Sequence, residues 1–456
     1  GSPNCEQYED MAMKLTTTTD KLMVFLAGGF LALLSPLHLG ASQLTSPDTP
    51  EFYAGNPRLE HYIHQALQRN PTLQEAIARY RAALQKVPQV TALPDPMLSF
   101  TQFIRNAETR VGPQLNTLML TQKFPWFGKL DLKGRVVFKE AAARYQVYRA
   151  REREIIARVK RAFYDLSYVD RAAEISQEDQ LLLEHYEELA QIRYSTGQGL
   201  QQAVIKIQAE ITKIINRLKI LNQQRVSLVA RLNTLMDRPP EEPLPTVGQL
   251  ALPQMTLNLE ELYDLGERNR QELKAVMARI EKSEQSIDLA KKDYWPNVTL
   301  GVGMINVGGR GDPAGLLLPP PDNGKNAYSF SVGINIPIRR DKYNAGVLEA
   351  TEGLIANRKQ YLNIRNEMEF SIRDQAIRIE TLWEQVELFE EVLIPQAEEA
   401  LRSTESAYET GQLGALDLLD SERVLLELRL INARYYADYL RALANLERAI
   451  GTKFPR

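Results

Sequence analysis

The longest regular pattern of apolar and polar positions lies between residues 129 and 194. Apolar side chains recur there at steps of one, three and four residues, as on one side of a helix. The stretch has no proline, and its only glycine is Gly134. A helix of these 66 residues would be about 100 Å long. That length predicts a coiled coil or a helical tube, although an ordinary helical bundle core would give a similar pattern. The apolar positions include Ile155, Ile156, Val159, Ala162, Phe163, Leu166 and Val169.

The sequence contains a second copy of this organisation. The segments Tyr194-Ser-Thr-Gly197 and Tyr408-Glu-Thr-Gly411 lie 214 residues apart. Four matched landmarks in the same order indicate an internal duplication. We therefore predict a first repeat at 43–250 and a second at 251–456, each with a helix, a β-hairpin, a very long helix and a closing helix. The other three matches are 59–60 with 259–260, 94–100 with 296–302, and 124–126 with 336–338.

The predicted helices of each repeat have complementary lengths. The two shorter helices together are nearly as long as the long helix, so they can stack end to end and run antiparallel to it. A proline-rich connector at 238–245 would form the joint between them. The helices are predicted near 58–88, 129–194 and 200–237 in the first repeat, and near 258–293, 342–408 and 413–450 in the second.

Each repeat also contains two short segments with partial alternation of apolar and polar residues. They form the predicted hairpins 97–123 and 297–337, and each strand has the length that crosses a bilayer when tilted. A soluble hairpin packed on helices would look similar. Trp126 and Trp295 lie on the helix side of the strands, where interfacial aromatic side chains are typical of membrane barrels. Four strands cannot close a water-filled barrel, so the chain would have to form oligomers, and three chains would supply twelve strands.

The first 42 residues have the layout of a secretory signal. Lys14 and Lys21 precede an apolar run at 22–34, and small residues follow at 40–42. The apolar run has 13 residues, whereas a membrane-spanning helix needs roughly 20. We therefore expect a cleaved signal peptide rather than a permanent anchor, with residues 1–42 forming an N-terminal extension and signal.

Composition excludes several classes of function. The chain has 55 basic and 58 acidic residues, which gives no reason to expect a nucleic-acid partner. A single cysteine excludes a disulfide framework and a cysteine-based zinc site. His61 and His64 are three residues apart, but two ligands without a third do not make a metal site. Because no nucleophile–base set or phosphate-binding loop is visible, we expect neither an enzyme nor a cofactor.

These features together resemble the TolC family of outer-membrane efflux proteins. The resemblance rests on the duplicated layout, the two Tyr-x-x-Gly turns and the segment Leu416-Asp417-Leu418-Leu419-Asp420. Residues 122–129, Gln-Lys-Phe-Pro-Trp-Phe-Gly-Lys, resemble the heavy-metal (CzcC-like) branch. The resemblance implies a mainly α fold with a small β part. It also implies a homotrimer whose twelve-stranded outer-membrane β-barrel, with four strands per chain, continues into a long periplasmic α-barrel.

The same resemblance implies a function. Family members are passive exit ducts that dock on a periplasmic adaptor and an inner-membrane pump, often a proton-driven one. The substrates would be small molecules or metal cations, which leave the cell through the lumen across the outer membrane. The alternative is a periplasmic coiled-coil adaptor or scaffold of an export system, although an adaptor normally has one hairpin and compact β domains.

The resemblance also assigns candidate site residues. Asp417 and Asp420 lie three apart on one helix and would form carboxylate rings at the periplasmic entrance, where they would attract cations. The alternative is an ordinary solvated helix face. The turns of Tyr194 and Gly197, and of Tyr408 and Gly411, would form the entrance tips and contact the adaptor.

The closing arginine of the family pattern falls at Leu413, which cannot make a polar link. The first-repeat counterparts of the two aspartates are Ala203 and Lys206. How the entrance is held closed is therefore open at the level of sequence.

Overall fold

The computed structural model of the protein describes residues 56–454. The predicted signal segment, residues 1–42, lies outside the described residues. Residues from His61 onward form one compact unit, and the packing below is that of this unit. In chain order the helices are α1 (Pro57–Arg69), α2 (Pro71–Leu84), α3 (Lys86–Thr91), α4 (Lys129–Ser195), α5 (Gln201–Leu235), α6 (Leu259–Asn269), α7 (Gln271–Lys292), α8 (Pro313–Leu317), α9 (Arg340–Leu388), α10 (Ile394–Glu409) and α11 (Ala415–Ile450).

Helix α4 confirms the longest helix predicted from the sequence. It has 67 residues and is therefore about 100 Å long. It packs against α2, α3, α5, α7 and α11. A single helix therefore contacts elements from both halves of the chain, as expected for a helical tube in which neighbouring helices lie side by side.

The first helix of each half is divided where the sequence predicts one continuous helix. In the first half, the Asn70 side-chain oxygen accepts a hydrogen bond from the Thr72 amide at 3.1 Å, and Pro71 begins α2. Asn70 is thus an N-cap, and proline at the first helical position has no amide hydrogen to leave unpaired. In the second half, the chain is extended at Arg270, between α6 and α7. The predicted helices 58–88 and 258–293 are therefore correct in extent but not continuous.

The second long helix contains a local irregularity. Helix α9 ends at Leu388, a π-helical turn spans Phe389–Leu393, and α10 continues to Glu409. Pro395 lies in the first turn of α10 and has no amide hydrogen to donate to the carbonyl of Glu391. A π-helical turn is a common way to absorb such a defect within a helix. The prediction for 342–408 located this helix and missed its interruption.

The four strands form one antiparallel sheet in the order β1-β2-β3-β4. The pairing of β2 with β3 joins the two halves of the chain. The first hairpin extends from Met97 to Phe124, close to the predicted 97–123, and its pairing contains a register shift between Gln102 and Ala107. The strands are β1 (Met97–Thr109), β2 (Gly112–Phe124), β3 (Val298–Val307) and β4 (Ala327–Ile334).

The two faces of the sheet differ in polarity. One cross-strand row on the apolar face runs Leu98, Leu120, Val302 and Phe330, and all four side chains are exposed. The opposite face carries small and polar residues, including Ser99, Thr101, Thr121, Gly301, Ser329 and Ser331. Apolar side chains exposed along one whole face need a nonaqueous neighbour, and the alternation is that of a barrel with a lipid face and a wet lumen. Strands β1 and β4 each keep one edge unpaired within the described residues.

Within residues 56–454, two large apolar clusters hold the helices together. One joins α4, α5, α10 and α11 and contains Tyr186 and Leu418, both fully buried. The other joins α6, α7, α9 and α11 and contains Ile372 and Leu446. Helix α11 contributes to both clusters and so connects them. Between residues 56 and 454, no helix is both long enough and apolar enough to cross a membrane.

Candidate functional site

The two Tyr-x-x-Gly turns have the same backbone structure. Gly197 has a φ of 74° and Gly411 a φ of 80°, a region that side chains resist and glycine adopts freely. In each turn the glycine amide donates to the tyrosine carbonyl three residues earlier at 3.1 Å, and the following glutamine amide donates to a carbonyl five residues back at 2.8 Å. Residues 193–200 and 407–417 are called the turn end below. Glycine at 197 and at 411 therefore allows the backbone to make each turn.

Arg193 connects the two turns within one chain. Its guanidinium donates a hydrogen bond to the Tyr408 carbonyl and lies 4.9 Å from the centre of the Tyr408 ring. An arginine over an aromatic face is attracted by the ring quadrupole. Tyr408 is only 4% exposed, whereas Tyr194, its counterpart in the first repeat, is 49% exposed. The two tyrosines therefore have different environments although their turns match.

Arg193 was not predicted from the sequence. The arginine of the family pattern falls at Leu413, on the second turn, and Leu413 is exposed in the structure. The polar link to Tyr408 comes instead from the first repeat. One signal was available: at the offset of 214 residues Arg193 aligns with Ala407, so only the first repeat has a cationic residue before the tyrosine.

Asp417 and Asp420 lie in the first two turns of α11, and both are exposed. The Asp417 carboxylate accepts a hydrogen bond from the Gly414 amide at 3.2 Å, so it also caps the helix. Among residues 56–454, neither aspartate forms a salt bridge within 4.0 Å. No cation of the described residues therefore neutralises their charges.

Glu210 connects α5 and α11, the two helices that follow the turns, through charged hydrogen bonds. Glu210 on α5 accepts hydrogen bonds from Lys213 at 2.9 Å and from Arg423 on α11 at 2.7 Å. Partial burial raises the pKa of Glu210, but the hydrogen bonds and charges of Lys213 and Arg423 outweigh it and the net pKa is lowered. Glu210 is thus an ionised bridge between the first and second repeats. Lys206, one turn earlier on α5, is half-buried.

Trp126 and Trp295, the two tryptophans on the helix side of the strands, are in direct contact. The Trp126 and Trp295 rings are stacked, with centroids 5.0 Å apart and planes 15° apart. The Trp126 amide donates to the Asn297 side chain at 3.3 Å, which ties the end of β2 to the start of β3. Phe127 packs edge-on against Trp126. The aromatic side chains thus mark the junction between the sheet and the helices.

The structure offers no metal centre in the part of the chain that it describes. No group of three histidine, cysteine, aspartate or glutamate side chains between residues 56 and 454 is arranged to hold a metal ion. His64 instead forms a hydrogen bond with Gln68 at 2.7 Å. The site is therefore one of surface charge, backbone turns and interhelical contacts.

Most of this chain matches a known protein family. Residues 62–237 and 262–452 match the family described as outer membrane efflux protein. The chain belongs to the outer membrane efflux protein family. The two matched segments correspond to the two halves of the chain, and internal duplication is a property of this family.

Individual relatives of this family member are distant but cover nearly its whole length. Nodulation protein T of Rhizobium leguminosarum bv. trifolii is 22% identical over 421 residues, with 88% of this chain and 86% of that protein covered. Outer membrane protein TolC of Vibrio cholerae is 22% identical over 427 residues, with 86% of this chain and 90% of that protein covered. The crystal structure of the outer membrane protein VceC from Vibrio cholerae has the same fold, with a TM-score of 0.72 and 19% identity. The match covers 87% of this chain and 97% of VceC.

Family membership confirms the main expectations from the sequence. The protein is an outer-membrane efflux channel that extends into the periplasm, and it is a trimer with a twelve-stranded β-barrel and an α-helical barrel. It works with a periplasmic adaptor and an inner-membrane pump, and it is a passive channel rather than an enzyme. The alternative of a periplasmic adaptor or scaffold is not supported.

Proposed function

We propose that Asp417 and Asp420 form two carboxylate rings at the periplasmic entrance of the trimeric channel. The proposal rests on one observation: both side chains are exposed beside the turn end and have no cationic partner in their own chain between residues 56 and 454. Threefold symmetry repeats each carboxylate around the axis. Rings of like charge attract cations and repel one another, so bound cations and protons favour a narrow entrance.

The two turns are proposed to form the tips that contact the adaptor. Tyr194 and Gly197 come from the first repeat, and Tyr408 and Gly411 from the second. The contact of Arg193 with Tyr408 supports a role in holding the tips in register, because it joins the repeats without using Leu413. In this proposal the entrance is latched by a link within each chain.

The opposite end of the molecule is proposed to lie in the outer membrane. The stacked Trp126 and Trp295 would mark the periplasmic lipid–water interface, where indole rings are favoured, and the apolar face of the sheet would contact outer-membrane lipid. Residues 1–42 are proposed as the extension and cleaved export signal, with structural repeats at 43–250 and 251–456.

The cargo is proposed to be small molecules or metal cations, with the pump proton-driven. The segment at 122–129 favours the heavy-metal branch. Because the channel is passive, selectivity would reside mainly in the pump, and the carboxylate rings would set the preference for cations at the entrance.

Conductance in planar bilayers tests the carboxylate rings. Divalent cations added on the periplasmic side should block the wild-type trimer, and the double variant D417N/D420N should need a tenfold or higher cation concentration for the same block. E261Q is the matched control, because Glu261 is an exposed carboxylate on α6, away from the turn end. Equal block of wild type and D417N/D420N would overturn the proposal. Since Asp417 caps α11, D420N alone should shift the block in the same direction without changing that cap.

A further inference from the structure

Two acidic side chains are buried where the first and second repeats meet above the turn end. Asp179 on α4 is 8% exposed and Glu422 on α11 is 4% exposed. Glu422 lies seven residues beyond the start of α11, about 10 Å along its axis. The Asp179 carboxyl lies within hydrogen-bonding reach of Glu422. The pair thus bridges the longest helix of the first repeat and the last helix of the second.

If Asp179 and Glu422 were both ionised, each would have a buried oxygen without a hydrogen bond. Asp179 Oδ2 and Glu422 Oε1 have no donor among residues 56–454. Two ionised carboxyls only accept hydrogen bonds, and buried acceptors without donors are unfavourable. One proton on the pair converts an acceptor into a donor and lets the two groups satisfy each other. The geometry therefore calls for a proton between them.

The surrounding charges decide which carboxyl holds the proton. Burial raises the pKa of Asp179, and the charge of Glu210 adds to that rise. The hydrogen bond with Glu422 and the charges of Arg217 on α5 and Arg429 on α11 favour the ionised form of Asp179. Glu422 faces Asp179 and Glu210, and the positive charge of Arg423 opposes them in part. Tyr186 is fully buried on α4, and the negative charges of both carboxyls and of Glu405 on α10 act on its hydroxyl. Asp179 is therefore the acceptor and Glu422 the donor.

We propose that Asp179 and Glu422 share one proton and so form a hydrogen-bonded tie between α4 and α11. Any opening of the turn end that moves these helices relative to each other must stretch or break this tie. Removal of the proton leaves two buried negative charges that repel each other. The tie is thus a proton-dependent element of the gate, separate from the exposed rings of Asp417 and Asp420.

The pH range of this tie follows from the direction of its titration. Burial, together with the hydrogen bond and the charge of Asp179, raises the pKa of Glu422 from 4.5 to about 9. Between those values the unfolded chain has lost the proton and the folded chain has kept it. The free energy of unfolding therefore falls as pH rises through this range and levels off above about pH 9. The tie is intact at neutral and acidic pH.

Infrared spectroscopy of the purified trimer in detergent tests the shared proton directly. The wild type should show the carbonyl band of a buried protonated carboxyl at pH 7, and this band should disappear as pH is raised through about 9. E422Q should lack the band, whereas E427Q, an exposed change on the same helix, should keep it. Absence of the band from the wild type at pH 7, or its persistence in E422Q, would overturn the proposal.

Thermal unfolding and conductance test what the proton does. E422Q keeps the side-chain size and donates an amide hydrogen to Asp179 at every pH. The melting temperature of wild type should therefore fall relative to that of E422Q as pH rises from 5 to 9. The open probability of wild type in bilayers should rise as pH passes about 9, and that of E422Q should not. Identical pH responses in the two proteins would contradict a role in gating. This outcome is distinguishable from failure of the carboxylate rings, because D417N/D420N is read out by cation block at neutral pH.

Discussion

The guanidinium of Arg193 lies 4.9 Å from the centre of the Tyr408 ring and also donates a hydrogen bond to the Tyr408 carbonyl. Arg193 precedes the turn of the first repeat, and Tyr408 precedes the turn of the second. The contact therefore uses the aromatic face and the backbone of Tyr408. The Tyr408 hydroxyl takes part in neither interaction.

This geometry predicts which changes loosen the turn end. R193A removes both interactions, each worth about 1 kcal/mol, and should increase the open probability in planar bilayers several-fold. Y408A keeps the backbone carbonyl but removes the ring from a buried position, so it should also increase the open probability and should lower the free energy of unfolding more than R193A does. Y408F should remain close to wild type, because it retains the ring and the carbonyl.

The control for R193A is R402A, which removes an exposed arginine paired with Glu399 on α10 at 3.1 Å. A Y408F channel as open as Y408A would show that the hydroxyl, not the ring, carries the latch. That result would contradict the contact described here.

The two turn glycines should differ in their sensitivity to alanine. Both have positive φ, so each substitution should cost about 1 kcal/mol in unfolding free energy. A Cβ on Gly411 would also lie 3.0 Å from the Arg193 guanidinium, whereas a Cβ on Gly197 meets nothing within 4 Å. G411A should therefore destabilise the protein more than G197A in chemical unfolding and should open the channel as well. Equal effects on both readouts would indicate that Arg193 is not fixed beside Gly411.

The stacked tryptophans should be energetically coupled. W126A and W295A each remove one ring of the stack, and a double-mutant cycle with W126A/W295A should give a coupling of about 0.5–1.5 kcal/mol. Urea unfolding of the trimer in detergent provides the measurement, with W383A as a control tryptophan on α9 that packs against Tyr439. Strict additivity of the two changes would argue against the stack.

Helix α9 carries an exposed apolar stripe that a second copy of the chain should cover in the trimer. Leu348, Ile355 and Leu362 are exposed at steps of seven residues, the spacing of a coiled-coil seam. I355E/L362E should shift the purified particle from trimer to monomer in light scattering, whereas Q360E on the same helix should not. Unchanged trimers in both variants would show that the stripe faces lipid, lumen or solvent rather than another chain.

The helices and the sheet were largely predictable because their causes are local. The absence of proline and the apolar periodicity predict the 67-residue helix. The two Tyr-x-x-Gly segments, with the other matched segments, predict the duplication. The π-helical turn before Pro395 was missed because a proline within a helical pattern allows an end, a kink or a bulge. The register shift within the first hairpin was not predicted, because apolar alternation alone does not reveal a bulge.

The interior contacts of the site were less predictable. The positions of Tyr408 and Gly411 follow from their motif, but the partner of Tyr408 lies 215 residues away at Arg193. Asp179 and Glu422 are separated by more than half of the chain and resemble solvated charges in the sequence. The packing of α4 against α11 brings Asp179 and Glu422 together. Helix periodicity in the sequence shows which face of each helix is buried, but not which residues of the two helices lie opposite each other.

The trimeric channel is tested most directly by measuring the particle mass of the purified protein together with its single-channel conductance in planar bilayers. We expect a particle of three chains that conducts in discrete steps and is blocked by divalent cations from the side of the turn end. The steps should persist in D417N/D420N, with weaker block. A monomer that gives no discrete conductance would contradict the trimeric channel.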